Sequence, residues 1–97
     1  MSDFIKSVVG RFSNLELHQN IGEVRVRNNN LSGSLWIKER FKGFRLQTTS
    51  DVASVLDREI EKLQGEPIGA QKPQQYKYWY IDDYEVVEKV IEILAKA

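Results

Sequence analysis

Between residues 15 and 48, apolar and polar residues alternate in short segments that are separated by stretches rich in asparagine, serine and glycine. A period of two is typical of a strand with one buried face and one face in water. The separating stretches are much shorter than the roughly dozen residues that a parallel crossover requires. The pattern therefore predicts an antiparallel meander of strands at residues 15–18, 23–27, 34–38 and 44–48.

Helical spacing replaces this alternation on both sides of the meander. Apolar residues at positions 4, 5, 8, 9 and 12 fall on one helical face, and Ser2 or Asp3 is available as the N-cap. From residue 50 onward the apolar residues again recur at intervals of three and four. This spacing predicts a second helix, with Ser50 as its N-cap and Gly65 just past its end.

The rest of the chain adds one strand and one helix. Residues 66–75 contain both prolines and predict a loop, after which the aromatic residues 76–81 predict a strand that rejoins the sheet. Asp82 and Glu85 resemble a capping box at the start of a final helix. The order α-β-β-β-β-α-β-α predicts an α+β two-layer sandwich, in which a mostly antiparallel sheet carries its helices on one face.

The length of 97 residues predicts one α+β domain over residues 1–97, with enough core to fold without disulfides or metals. The lack of cysteine excludes thiolate zinc sites, iron–sulfur clusters and cysteine nucleophiles, and it is typical of a reducing cytosol. No apolar run approaches the roughly 20 residues of a membrane span, and the start lacks a basic segment followed by an apolar one. We therefore expect a cytoplasmic protein with no membrane association and no cofactor.

Charge is distributed unevenly along the chain, although the formal net charge is zero. Residues 23–47 contain six Lys or Arg and two Glu, whereas residues 48–97 contain six basic and ten acidic residues. If the apolar strand residues face the core, alternation places the intervening residues together on the opposite face of the sheet. That face then combines cations with an aromatic ring, in Arg25, Trp36, Lys38 and Arg45.

Two interpretations of this face remain open. Cations beside an aromatic ring can contact phosphates by charge and bases by stacking, as single-strand-binding folds do. Strands also need polar residues on the side that faces water, where Arg and Lys serve routinely. The zero net charge favours the second interpretation, because dedicated nucleic-acid binders usually carry a clear basic excess.

The segment 76–81 is the most aromatic part of the chain. Core packing together with a tyrosine ladder on the wet face explains this pattern, since aromatic residues favour strands and pair across them. The same segment beside Lys72 and Lys77 would also suit nucleic acid, a partner peptide or a self-association edge. Alternation places Tyr76, Tyr78 and Tyr80 on one face and Trp79 and Ile81 on the other.

The residues do not form a recognisable catalytic constellation. His18 is the only histidine, and one histidine without cysteine cannot build the usual zinc or non-haem iron ligand set. The adjacent Asp82 and Asp83 precede a helix, where an N-cap and a first-turn charge explain them better than a metal or acid–base pair. The glycines match no phosphate-binding loop, and no serine lies in a GxSxG motif. We therefore predict no enzymatic activity. The enzyme alternative would require these two carboxylates and the histidine to meet in a pocket.

Four stretches of the chain carry a resemblance to a known family. They are residues 33–37, with the sequence Gly-Ser-Leu-Trp-Ile, residues 44–51, residues 66–69 and residues 77–81, with the sequence Lys-Tyr-Trp-Tyr-Ile. In this order, over residues 33–94, they resemble the MmcQ/YjbR-like family of small bacterial proteins, which usually has Lys-His-Trp where this chain has Lys-Tyr-Trp. The resemblance implies a compact α+β fold likened to paired DNA-binding wings, a nucleic-acid-binding role and no established enzymatic activity.

Our leading hypothesis is a noncatalytic binding module that engages nucleic acid through the basic and aromatic sheet face. Phosphate contacts would supply most of the affinity and stacking part of the rest. The alternative is a protein-interaction or homodimeric assembly domain that uses the aromatic strand 76–81 or an acidic helix face. The residues predicted for the nucleic-acid site are Arg25, Arg27, Trp36, Lys38, Arg45, Lys77 and Trp79.

Overall fold

The computed structural model describes residues 3–64 and 77–97, and within them three helices and five strands follow the order that the sequence predicts. The predicted α+β class is therefore confirmed. The elements are α1 (Asp3–Gly10), β1 (Leu15–Asn20), β2 (Glu23–Asn28), β3 (Leu35–Glu39), β4 (Phe44–Thr48), α2 (Ser50–Gln64), β5 (Tyr78–Ile81) and α3 (Tyr84–Ala95).

The five strands form one sheet in which every pair of neighbours is antiparallel. Their spatial order, β1-β2-β3-β4-β5, is also their order in the chain. The first four strands are the predicted meander, with short turns at residues 21–22 and 40–43. Strand β5 joins the free side of β4 after the chain has formed α2, so β1 and β5 are the edges of this sheet.

The helices pack on one face of the sheet, and the core lies between the two layers. Alternate strand residues such as Val24, Ile37 and Leu46 point into this core and are fully buried. Burying an aliphatic side chain of this size contributes about 1.5 to 3 kcal/mol, so the apolar periodicity of the strands and helices determines how the layers meet. The helices contribute Ile5 from α1, Val52, Leu56 and Ile60 from α2, and Val87, Val90, Ile91 and Leu94 from α3.

The sequence predicts Ser50 as the N-cap of α2, but the start of this helix is capped by another part of the chain. Ser50 has a φ of 53°, in the left-handed region, and its hydroxyl forms no hydrogen bond with the described residues. Ser32, in the connection from β2 to β3, takes over this role. Its carbonyl oxygen accepts a hydrogen bond from Val52 N at 3.2 Å, and its hydroxyl accepts one from Asp51 N at 3.4 Å. The first N–H groups of the helix are therefore satisfied by a tertiary contact.

Helix α3 is held at both ends by polar side chains. Its N-cap is Asp83, one residue later than predicted, and the Asp83 carboxylate accepts a hydrogen bond from Glu85 N at 2.9 Å. At the other end, Asn28 Nδ2 donates to the carbonyl oxygen of Leu94 at 2.8 Å. The last carbonyl groups of a helix have no partner within the helix itself, so side-chain donors help to satisfy them. The buried Asn28 thus connects the end of β2 to the end of α3.

Two glycines allow chain segments to approach closely at the ends of the sheet. Gly33 has a φ of +83° and Gly43 a φ of +89°, conformations that are strained for residues with a side chain. A Cβ atom on Gly33 would overlap the carbonyl oxygen of Thr49, and one on Gly43 would overlap that of Ile81. These glycines are therefore required by tertiary packing as well as by the turns themselves.

Several predicted features lie outside the described residues, namely Ser2, the end of the second helix at Gly65, the loop at 66–75 with Lys72, and Tyr76. Within the described residues, the aromatic strand begins at Tyr78. The described helices include none that is long and apolar enough to cross a membrane.

Candidate functional site

The face of the sheet opposite the helices carries the polar and aromatic strand residues. Along β2, β3 and β4, fully buried residues alternate with partly exposed ones, so that two sets of side chains point to opposite faces. This separation confirms the alternation expected for the central strands. We call the second set the open face; its members are Glu16, His18, Asn20, Glu23, Arg25, Arg27, Trp36, Lys38, Arg45, Gln47, Tyr78 and Tyr80.

The strand register arranges most of the open face in two rows. Side chains that are direct cross-strand neighbours have Cβ atoms about 4.5 to 5.5 Å apart, so each row is continuous across the sheet. The first row is His18, Arg25, Trp36, Gln47 and Tyr78, and the second is Asn20, Glu23, Lys38, Arg45 and Tyr80.

Each aromatic ring on the open face has an arginine beside it. The guanidinium carbon of Arg25 lies 5.6 Å from the centre of the Trp36 ring. Arg45 is 5.8 Å from the Tyr78 ring, and Arg40, in the turn between β3 and β4, is 5.5 Å from the Tyr80 ring. Such distances allow cation–π attraction, which holds the guanidinium groups and rings in one layer.

Positive charge exceeds negative charge on the open face, which has four cations and two carboxylates. Arg45 is paired with Glu23, with 3.7 Å between Nη2 and Oε2. Arg25, Arg27 and Lys38 have no ion-pair partner among the described residues. The Nε atoms of Arg25 and Arg45 are also buried without a hydrogen-bond acceptor. The face therefore retains donors and charge for an anionic ligand.

A concavity of about 430 Å³ opens on this face beside Trp36. The strand register explains its composition, because Arg25, Trp36 and Gln47 are consecutive members of the first row. Ser34 and Thr49 lie beside this row and are joined by two hydrogen bonds. Ser34 N donates to Thr49 Oγ1 at 2.9 Å, and Thr49 N donates to Ser34 O at 3.2 Å. Glu23 and Ser50 complete the lining.

Five of the seven residues predicted for the nucleic-acid site lie together on the open face, and two do not. Trp79 is only 2% exposed and faces the helices, so its inclusion in the site was wrong. Lys77 also lies on the helix side, where its Nζ is 3.9 Å from Asp57 and 3.7 Å from Glu61 of α2. Both residues lie an even number of positions from the buried Ile81, so their side chains point to the same side of the strand, away from the open face.

The sequence analysis missed several residues of this surface. Gln47 lies between the core residues Leu46 and Thr48, so alternation alone would have identified it. Ser34 has the same signal, since it lies two residues before Trp36. Arg40 has no such signal, because it lies in a turn and reaches Tyr80 only through the pairing of β4 with β5.

The residues of the catalytic hypothesis do not meet. His18 is on edge strand β1, whereas Asp82 and Asp83 follow the opposite edge strand β5, four strand spacings or about 19 Å away. The carboxylate of Asp83 is engaged as the α3 N-cap, and His18 Nε2 lies 3.4 Å from Glu16. Among residues 3–64 and 77–97, no three His, Asp or Glu side chains form a metal-ligand group.

One carboxyl group on the helix side is electrostatically unusual. Burial raises the pKa of Asp57 above its ordinary value, although a hydrogen bond from Thr48 and the charge of Lys77 act in the opposite direction. The Thr48 hydroxyl donates to this carboxylate at 2.5 Å. Asp57 therefore joins α2 to β4 and orients Lys77, on the side of the sheet away from the concavity.

Comparison of the chain with protein-family models, with curated proteins and with solved structures finds no match in any of the three. The resemblance to the MmcQ/YjbR-like family therefore stays a prediction.

Proposed function

We propose that this protein is a noncatalytic binding module that engages nucleic acid through the open face. The observation that carries the proposal is the arrangement of Trp36, Tyr78 and Tyr80 in one layer with three arginines and Lys38. Phosphate groups require cations, and unpaired bases require flat surfaces for stacking. The open face offers both at the spacing of adjacent strands.

The buried face of the same sheet supports this role physically. Val24, Ile37 and Leu46, which alternate with the open-face residues, are fixed in the core. The strands that carry Arg25, Trp36 and Lys38 are therefore anchored to the core. A surface arranged before binding loses less conformational entropy when a ligand docks, which favours affinity.

The expected binding is dominated by charge. If the four cations of the open face each contact one phosphate of a single strand, log K should fall with log salt with a slope of about −3. Stacking of a base on an aromatic side chain adds about 1 to 3 kcal/mol and depends much less on salt. We therefore expect single-stranded oligonucleotides to bind more tightly than duplexes, whose bases are not available for stacking.

The experiment is a fluorescence-anisotropy titration of labelled single- and double-stranded oligonucleotides at low and near-physiological salt. Arg25→Gln/Lys38→Gln removes two charges from the open face, and we expect it to weaken binding at least tenfold and to reduce the salt slope. The matched control is Arg58→Gln/Lys89→Gln, which removes two exposed charges from helices α2 and α3. Absence of binding at low salt, or equal loss in both double variants, would refute the proposal.

A protein-interaction or homodimeric assembly role is the second candidate. It is favoured by two fully exposed apolar side chains, Ile21 at 103% and Phe41 at 99% exposure. Both lie in strand-connecting turns at the same end of the sheet, and Tyr80 on edge strand β5 is 45% exposed. Exposed apolar groups of this kind often mark contact surfaces.

Light scattering over a range of protein concentrations tests this second candidate. An assembly through these groups should show a mass that rises with concentration and returns to that of the monomer in Phe41→Ser/Tyr80→Ser. A monomeric mass of 11.3 kDa at every concentration would exclude the homodimer. It would leave nucleic-acid binding as the role to be tested.

A further inference from the structure

The concavity beside Trp36 contains polar groups that the protein itself leaves unused. Ser34 is only 5% exposed, yet its hydroxyl forms no hydrogen bond with the described residues. The side-chain amide of Gln47 also has no partner among them, and Arg25 Nε is buried without an acceptor. Arg25, Ser34 and Gln47 therefore bring polar side chains to the lining of one recess.

Of these three groups, only Arg25 Nε is shielded from solvent without a partner. A buried donor or acceptor without a partner costs about 1 to 3 kcal/mol, and most buried polar groups in proteins have partners. The Ser34 hydroxyl and the Gln47 amide line the concavity and are available to a ligand. The convergence of these groups is better explained by a ligand that brings its own donors and acceptors.

The shape of the recess favours a planar ligand. The Trp36 side chain forms one wall. The Arg25 guanidinium carbon lies over this ring at 5.6 Å from its centre, so Arg25 is close enough to contact a base that packs against Trp36. The volume of about 430 Å³ falls within the range of about 300 to 1,000 Å³ that is usual for small-molecule sites.

The polar lining favours one base over the others. Arg25 supplies donors, and the Glu23 carboxylate, whose only ion-pair partner among the described residues is Arg45 at 3.7 Å, supplies an acceptor. Guanine presents the acceptors O6 and N7 on one edge and the donors N1–H and N2–H on the next. An arginine that contacts O6 and N7 is the commonest base-specific contact of proteins.

We infer that the concavity beside Trp36 is a base-reading pocket that takes one unpaired guanine from a bound single strand, an inference that rests on the proposed nucleic-acid-binding function. The base stacks on Trp36, while Arg25 donates to its O6 and N7 edge and Glu23 accepts from N1 and N2. Gln47 and Ser34 hydrogen-bond to the remaining polar atoms of the nucleotide.

The test is an anisotropy titration of labelled deoxythymidine oligonucleotides that carry one central guanine, adenine, cytosine, inosine or 7-deazaguanine. We expect the guanine oligonucleotide to bind about tenfold more tightly than the adenine and cytosine ones. Inosine, which lacks the N2 amino group, and 7-deazaguanine, which lacks N7, should each lose part of this preference. The loss with inosine should disappear in Glu23→Ala, because no side-chain acceptor for N2 then remains at this position.

Two variants separate base reading from general affinity. Glu23→Ala should reduce the guanine preference to less than threefold, because it removes the acceptor for N1 and N2. Arg27→Ala, on the open face but outside the concavity, should weaken binding to every oligonucleotide alike and keep the preference. Thermal unfolding of both variants checks that they are folded.

The outcomes distinguish this inference from the function on which it rests. Salt-dependent binding with equal affinity for all five oligonucleotides would overturn the base-reading pocket and leave the proposed function in place. A guanine preference that survives Glu23→Ala unchanged would place base reading elsewhere and also overturn the inference. Absence of binding to any oligonucleotide at low salt would overturn both.

Discussion

Replacement of Asn28 by alanine should destabilise the protein more than any other change in its run of three asparagines. Asn28 Nδ2 donates to Leu94 O at 2.8 Å and to Ala97 O at 3.4 Å, and its Oδ1 accepts from Asn30 N at 2.9 Å. The side chain is fully buried, so the substitution removes these hydrogen bonds and leaves a small cavity between β2 and α3.

The magnitude follows from what remains after the substitution. Leu94 O keeps a hydrogen bond from Ala97 N at 3.3 Å, and Asn30 is exposed to water, so neither group is left fully unsatisfied. The loss is therefore the net value of about two good hydrogen bonds, roughly 0.5 to 1.5 kcal/mol each, plus a cavity penalty. We expect a total of about 2 to 4 kcal/mol, which for a domain of this size lowers Tm by about 10 to 20 °C.

The assay is urea unfolding followed by circular dichroism, with Asn29→Ala as the matched control. Asn29 has the same side chain, is exposed and forms no side-chain hydrogen bond with the described residues, so its replacement should change stability by less than about 0.5 kcal/mol. Asn28→Asp should be at least as harmful as Asn28→Ala, because it loses the donor and places negative charge at a helix C-terminus. Equal stabilities of the Asn28→Ala and Asn29→Ala variants would refute the assigned role of Asn28.

Further predictions concern the sheet ends and the helix side. Gly33→Ala should lower the free energy of unfolding by about 2 kcal/mol or more, whereas Gly10→Ala, where a Cβ meets no atom within 4 Å, should be neutral or stabilising; chemical denaturation of both variants checks this. Folding raises the pKa of Asp57. The contribution of this carboxyl group to the free energy of unfolding is therefore greatest below the unfolded pKa of 3.8 and is lost as pH rises through the folded pKa. The stability of the parent protein relative to Asp57→Asn should therefore fall between about pH 3 and neutrality, with Asp82→Asn as an exposed control; a difference that does not change with pH would contradict the burial argument.

Much of the open face was predictable because side-chain direction along a strand is a local property. Residues two apart point to the same face, so Val24 and Val26 in the core require Arg25 on the other side. The same rule brought Arg25, Trp36 and Lys38 together before any strand order was known. It also separates Trp79 from Tyr78 and Tyr80, so the inclusion of Trp79 in the site conflicted with the face on which alternation places it.

Other parts of the site required knowledge of the strand pairing. The continuous first row exists because β3 lies between β2 and β4 and because β5 adds to β4 in one particular register. The concavity depends on the same register, since Ser34 and Gln47 are distant in sequence and become neighbours only through the pairing of β3 with β4. Arg40 approaches Tyr80 for the same reason.

The sequence by itself determined the class of fold, the order of its elements and the face of the central strands on which each side chain lies. These properties depend on periodicity and turn-forming residues over a few consecutive positions, where backbone geometry leaves little choice. Only the tertiary structure decided that Asn28 holds the end of α3, that Ser32 caps α2 and that Lys77 pairs with α2. In each case a polar group is satisfied by a segment far away in the chain, and the packing of the two layers, which no local pattern encodes, selects that partner.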